Sequence, residues 1–520
     1  MAHRFFPLLS LTLALVATGG GAQETPVEAT TAAHSLADIE ALIARGEHAE
    51  AAKAIAQARA AAGNDAAAAS RLLNLEGVLH TARGDAQKAA ASFAASLATA
   101  PDGPLRTTLA YNAALAALQG GDIASYDRLA GIVQTNAGAG SPLIADLALE
   151  RGLIEAARAD TAAFDSLETF LRRFPDHSRA AHAEISLAEL YLTQVPPQPT
   201  ASREHLDSAR ERPLTLAQRE WLDHVAIWTE IATPDSSTVA ERAERFLADW
   251  PQSRHRPTIL MVLGESLYRA GQFTEAAGHF EQLATESPDS PLAQPALFFA
   301  GKATSQTHDA ASQLRARAFW ERVVAAAGPL SPAAQHEIGL LELENDRFDA
   351  AVAAFAAIEA LPTASPELKI AARADRGEAL YAQATATGVD PERLAAAIDT
   401  FAAIERDPQA EKWWRLQAAV RHGKCLEALG RNDEALALYS SIVQDSPPAG
   451  PAAAVPVAEF DWFFRAGLAA IRLLQREEKW TQAIAIADRV AVSGGPRATE
   501  AARIGESLRL RHFIWEDPAG

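Results

Sequence analysis

One stretch constrains this chain more than any other. Trp413 to Pro448 reads WWRLQAAVRHGKCLEALGRNDEALALYSSIVQDSPP. Leu416, Val420, Gly423 and Leu426 recur at three- and four-residue spacing, which is one face of a helix. Ala435, Leu438, Tyr439 and Ile442 repeat the pattern after a polar break at Gly430 to Asp433. Gly423 and Ala435 are small, so two such helices can cross closely, with Tyr439 supplying bulk beside the crossing. Pro447 lacks an N–H and disfavours helical geometry in the residue before it, so it ends the second helix. The stretch therefore predicts an antiparallel helix hairpin of about 34 residues, a length typical of repeat architectures.

The same spacing recurs along the chain. It is clear at Gly77, Gly84, Ala89, Phe93 and Pro101, and again at Leu260, Leu263, Gly264, Leu267, Gly271, Ala276, Phe280 and Pro288. Gly301 opens a unit with Ala316, Trp320 and Val323. Gly339 opens one with Ala351, Phe355 and Ile358. Gly377 opens another with Ala397, Phe401 and Pro408, its second helix starting at Asp390-Pro391-Glu392. A first pair is expected from Leu36 to Ala62, turning at Gly46. From Leu105 to Arg212 the pattern is weaker. There a turn at Gly120-Gly121-Asp122 is followed by a linker from Asn136 to Pro142, in which Ser141 is expected to cap a helix opened by Pro142. Ala163, Leu167 and Pro175 keep the second-helix spacing. A Pro/Ala-rich spacer, Ser446 to Pro456, precedes a last pair from Phe463 to Val492 and a terminal cap from Pro496 to Trp515. The chain of 520 residues has room for roughly a dozen hairpins at this period.

These residues resemble the tetratricopeptide repeat. Gly423, Leu426, Gly430, Ala435, Tyr439 and Pro447 stand where that family has its Gly, Tyr, Gly, Ala, Phe and Pro. Ala419 replaces its tryptophan and Leu426 its tyrosine, both still apolar. The resemblance implies an all-α fold, a right-handed α-solenoid of antiparallel hairpins. The junctions at Trp250-Pro251-Gln252-Ser253 and Pro288-Asp289-Ser290 are similar to those of periplasmic and outer-membrane assembly lipoproteins and of Tol–Pal coordinators. The expected organisation is a signal peptide over 1–22, a flexible lead over 23–35, a degenerate array over 36–252, a clearer array over 253–448, and a last pair with capping helix over 449–520.

The first residues set an address. Arg4 is followed by an apolar run from Phe5 to Ala17, too short to span a bilayer, and then by Gly20 and Ala22, small enough for a cleavage site. The expectation is export to the periplasm or cell envelope, with no lipid anchor, since no cysteine adjoins the leader, and no membrane span in the mature chain. Cys425 is the only cysteine, so no disulfide forms within one chain. The formal charge of −19 argues against nucleic acid as a general partner.

Catalytic motifs are not found. The 14 histidines show no H-E-x-x-H spacing, and Gly301-Lys302 and Gly423-Lys424 lack the rest of a phosphate loop. No metal or cofactor is expected, and His177 and His182 are read as structural. In the family that the chain resembles, first helices line a groove that holds a peptide or helix. Carried over by position, that groove includes Glu265, Tyr268, Arg269, Glu378, Tyr381, Lys424 and Glu427. The resulting expectation is a non-enzymatic exported scaffold with a protein or peptide partner. A helical subunit of a peptidoglycan-active enzyme and a purely structural envelope protein are the alternatives.

Overall fold

The computed structural model describes residues 35–138, 141–234, 237–445 and 456–514. Among them are 25 helices and no strand. The chain divides into two compact units, Met1–Ser253 and Arg254–Gly520. Each is an α-solenoid in which hairpin follows hairpin. The signal peptide, most of the lead and Pro447 lie outside the described residues, as do most of the Pro/Ala spacer and Trp515.

The first unit runs from α1 (Leu36–Ala44) to α12 (Val239–Asp249). Its start is fixed locally. The Ser35 side chain accepts from the Asp38 amide while Asp38 accepts from the Ser35 amide, which satisfies two donors that the first turn leaves free. Ser141 precedes α7 (Pro142–Ala157) as expected, yet its side chain makes no capping bond. Proline at the first helical position has no N–H to satisfy, which lessens the need for one.

The second unit runs from α13 (Arg256–Arg269) to α25 (Ala498–His512). Its first helices are α13, α15 (Ala293–Ser305), α17 (Ser331–Glu344), α19 (Pro366–Ala386), α21 (Lys412–Ala428) and α23 (Val457–Arg476). Their partners are α14 (Phe273–Glu286), α16 (Ala310–Ala325), α18 (Phe348–Ala360), α20 (Pro391–Glu405), α22 (Asn432–Asp445) and α24 (Trp480–Val492). The turn after α21 shows how the hairpin closes. Gly430 adopts φ of 75°, which an L side chain rarely tolerates, and Arg431 N–H reaches back to the Leu426 carbonyl at 2.9 Å.

Packing between the paired helices of the second unit follows one rule. A buried glycine on the first helix lies under a bulky side chain of the second. A Cβ added at Gly264 would come within 2.5 Å of the Phe280 ring, and one at Gly339 within 2.5 Å of Phe355. Gly301 meets Trp320, Gly377 meets Phe401, and Gly423 meets Tyr439 in the same way. In the first unit Gly77 meets Phe93, while Gly152 meets Leu167 instead of an aromatic ring.

The adjacent tryptophans depart from expectation. Consecutive helical residues point about 100° apart, which predicts that Trp413 and Trp414 face different ways. Their rings stack instead, with centroids 4.1 Å apart, and both are half-buried at the start of α21. Trp413 Nε1 donates to Glu411 at 2.9 Å, which holds that ring at the start of the helix.

Candidate functional site: the first-helix face of residues 254–520

Each glycine at a helix crossing also fixes the rotation of its helix; Gly467 on α23 lies under Val490 instead of an aromatic ring. The residue after each crossing glycine is turned by about 100°, away from the paired helix. Those residues are Glu265, Lys302, Leu340, Glu378, Lys424 and Leu468, one from each first helix in order. All are partly or fully exposed, whereas the glycines before them are buried. One turn further on stand Tyr268 and Tyr381, both half-buried.

The face is stitched together by charges. Lys302 Nζ on α15 lies 2.9 Å from Glu337 Oε1 on α17, and Glu378 Oε1 on α19 lies 2.5 Å from Arg421 Nε on α21. Between them His336 on α17 is 2.8 Å from Asp375 on α19. The two lysine- and arginine-bearing pairs share a register. The residue after the glycine of one helix meets the residue two before the glycine of the next.

Each residue proposed from the sequence has a definite place. Glu265 and Arg269 form an i,i+4 pair at 3.3 Å, with Arg269 the more exposed. Tyr268 packs edge-on to Phe273, centroids 5.3 Å apart. Burial pushes the Glu378 carboxyl up from its ordinary range, opposed by the Arg421 guanidinium. Burial also raises the Tyr381 phenol. Lys424 is half-buried, and burial followed by the Arg421 charge holds its ammonium below the usual lysine range. Glu427 turns inward: it accepts from the Tyr439 hydroxyl at 2.8 Å and lies 3.7 Å from Arg472. Glu427 is therefore also a fastening between α21 and α22. Cys425 is buried and its thiol is pushed up to about 12 by burial, which marks it as a packing residue.

Sequence reasoning missed Arg421, Trp462, Arg465 and Arg472. The Arg421 and Arg465 guanidiniums lie over the Trp462 ring, 5.5 and 4.8 Å from its centroid. Arg421 and Arg465 each stand two residues before a helix-crossing glycine, so the glycine register could have found both.

In the first unit the corresponding positions differ from each other: Val78, after Gly77, is half-buried. Leu153, after Gly152, is buried. The buried Asn112 donates to Asn74 at 2.9 Å, joining α5 (Pro104–Gly120) to α3 (Ala66–Ala82). Glu150 takes Arg179 at 2.6 Å. His177 lies 3.4 Å from Asp146, and His182 packs against Trp221, so both histidines have structural contacts. Among the described residues no group of three or more His, Cys, Asp or Glu could hold a metal ion, and no helix is long and apolar enough to cross a membrane.

Two segments match family models, residues 240–291 and residues 417–448. Both models describe the tetratricopeptide repeat. The second segment contains the Gly423–Tyr439 crossing. No curated protein matches the chain. Among solved structures, yeast Tom70 is 13% identical, over 93% of this chain and 96% of that one, with a TM-score of 0.31. The Cut9–Hcn1 hetero-tetramer of the APC/C gives 12% identity over 90% and 95%, with a TM-score of 0.33.

Proposed function

We propose that this chain is a non-enzymatic scaffold that holds a protein or peptide partner against the first-helix face of residues 254–520. The observation that carries the reading is the row Glu265, Lys302, Leu340, Glu378, Lys424 and Leu468. Six helices each turn one residue outward in a fixed register, two charged positions followed by one apolar position, twice over. A solenoid presents such a row as a continuous strip to an extended partner. Tyr268 and Arg269 belong to residue types common among interface hot spots. Changing both to Ala is expected to weaken partner capture by roughly 1–3 kcal/mol while the melting curve barely moves. Unchanged capture in that variant, with loss on altering the second-helix surface, contradicts the reading.

The scaffold works in the cell envelope on this account, in outer-membrane assembly or cell-wall coordination. Arg4, the Phe5–Ala17 run and the small residues to Ala22 support export. The Trp250-Pro251-Gln252-Ser253 junction supports the envelope branch of the repeat family. Intact mass of the exported protein tests the first point, since a chain still beginning at Met1 contradicts cleavage.

A further inference from the structure

A cleft of about 1030 Å³ opens in the first unit where α5 and α7 begin beside the second half of α6 (Ile123–Ala137). Gly103 and Pro104, at the start of α5, and Ser141, at the start of α7, stand on its wall. Neither helix has a side chain capping its first amides: Gly103 has none to offer, and the Ser141 hydroxyl makes no capping bond. The positive ends of two helix dipoles therefore border one space. Arg106 and Arg128 line it too. Arg106 donates to the Ala100 carbonyl at 3.2 Å and lies 3.8 Å from Asp102. Arg128 is exposed and makes no ion pair or hydrogen bond among the described residues, although its charge acts on the Asp122 carboxylate that caps α6. Asp102 is the only carboxylate on the described wall, and its side chain is almost fully exposed. Gly131 on α6 keeps the cleft open, since a Cβ there meets nothing within 4 Å. The residue that points to a ligand is Thr107. It lines the cleft, is only 7% exposed, and its hydroxyl has no hydrogen-bond partner among the described residues. The next residue, Thr108, turns its hydroxyl back to the Pro104 carbonyl at 3.4 Å. A hydroxyl taken out of water without a partner is unfavourable, and a bound acceptor offsets that cost.

We propose that this cleft binds a phosphorylated polyol. The phosphate is held at the α5 end by the Arg106 and Arg128 guanidiniums, the first amides of α5 and the Thr107 hydroxyl. A phosphate monoester carries a charge of about −1.5 to −2 and three acceptor oxygens, so it meets several donors at once, and guanidinium geometry suits it. The cleft is too large for a phosphate alone. It stands at the upper end of the range of clefts that hold whole small molecules, about 300–1000 Å³. Its wall also carries Asn136 and Ser141, whose side chains both donate and accept and so suit the hydroxyl groups of a polyol. Two sources carry this chemistry, a free polyol phosphate and a lipid headgroup, and the test separates them. The site is independent of the scaffold reading, because none of its residues lies in 254–520.

The probe is glycerol 3-phosphate, titrated with the full chain and followed by line broadening of its phosphorus NMR resonance. The unaltered protein is expected to broaden it saturably. Arg128→Gln and Thr107→Val are each expected to weaken binding roughly tenfold, the worth of one charge-assisted hydrogen bond. Thr107→Val is close to isosteric and breaks no bond within the protein, so its melting curve barely moves. Lys88→Gln, on α4 (Ala86–Thr99) and outside the cleft, leaves the affinity unchanged. Flotation with phosphatidic acid vesicles separates the sources: co-flotation that is lost in Arg128→Gln assigns the lipid headgroup, and its absence assigns the free polyol phosphate. No saturable broadening, an affinity unchanged in either cleft variant, or an equal loss in Lys88→Gln would each overturn the proposal. Circular dichroism confirms that the variants fold. Arg128 is exposed, so its variant carries the test alone should Thr107→Val not fold.

Discussion

Gly423 lies directly beneath the ring of Tyr439, so close that an added Cβ would overlap the ring, and the Tyr439 hydroxyl donates to Glu427 one turn further along the glycine's own helix. The contact sets both the distance and the rotation of α21 against α22. Gly423→Leu is expected to overpack the crossing and cost roughly 1–3 kcal/mol. Gly278 is the control: it is helical and exposed, and a Cβ there meets nothing within 4 Å. Gly278→Ala is expected to stabilise by about 0.5–1 kcal/mol, because glycine is the poorer helix former. Urea melts measure both shifts, and a raised midpoint for Gly423→Leu contradicts the crossing.

Glu342 on α17 is buried and accepts from two guanidiniums, Arg317 Nη1 at 2.6 Å and Arg347 Nε. Replacing it by Gln keeps the shape but leaves one acceptor oxygen, so one bond loses its charge and the other is lost, an amide N–H facing a guanidinium donor. Hydrogen bonds to charged groups contribute about 1.5–3 kcal/mol each, so Glu342→Gln is expected to destabilise by roughly 2 kcal/mol after the two half-exposed arginines relax toward water. A melt indistinguishable from the parent protein contradicts a structural role for this junction.

Lys424 offers the opposite case. Its ammonium is half-buried and acted on by three like charges, Arg421, Arg465 and Arg472, against the one carboxylate of Glu378, so Lys424→Met keeps the packing stem and discards a net repulsion. Stability is expected to hold or rise by about 0.5 kcal/mol, the scale of a partly exposed charge interaction. Thermal melts at low salt show the gain most clearly, because salt screens the repulsion. A substantial loss of stability contradicts a net repulsion at Lys424.

The first unit carries a pH-dependent element. Glu189 on α9 (Ala180–Thr193) is buried, accepts from Trp221 Nε1 at 3.2 Å, and is pushed up to about 7 mainly by burial. A carboxyl raised in the folded state binds its proton more tightly there than when unfolded. Its contribution is therefore favourable below the ordinary carboxylate range and is lost as pH rises to about 7. His182, held down to about 4 by burial, acts with the opposite sign between that value and the ordinary histidine range. Comparing Glu189→Gln with the parent isolates the glutamate. The variant is expected to gain relative stability as pH rises through that interval and to keep a constant advantage above it. A difference independent of pH contradicts the burial of an ionisable Glu189.

Most of the hairpin architecture was legible because glycine, aromatic and proline positions repeat at a fixed spacing. Gly77 with Phe93 and Gly264 with Phe280 show that spacing is enough when both partners are present. Gly152 was harder, because Leu167 replaces the ring and a leucine carries no distinctive signal. The face itself was half legible. Glu265 and Glu378 follow from helix phase alone, but Arg421 and Arg465 lie on separate helices far apart in sequence, and only packing brings them to one tryptophan. Glu427 has the phase of a groove residue, and a hydroxyl from its own hairpin draws it inward, which phase cannot foresee. The stacking of Trp413 on Trp414 escaped for the same reason, since side-chain torsions override the angle between Cβ directions.

The central claim is that partners contact the first-helix face of the second unit. Photocrosslinking residues placed one at a time at Tyr268 and Tyr381, and on the second-helix surface at Asp399 and Ala437, test it directly in cells. Adducts to the same partner from Tyr268 and Tyr381, with none from Asp399 or Ala437, are the predicted result. Adducts from Asp399 or Ala437, with none from the two tyrosine positions, would contradict it.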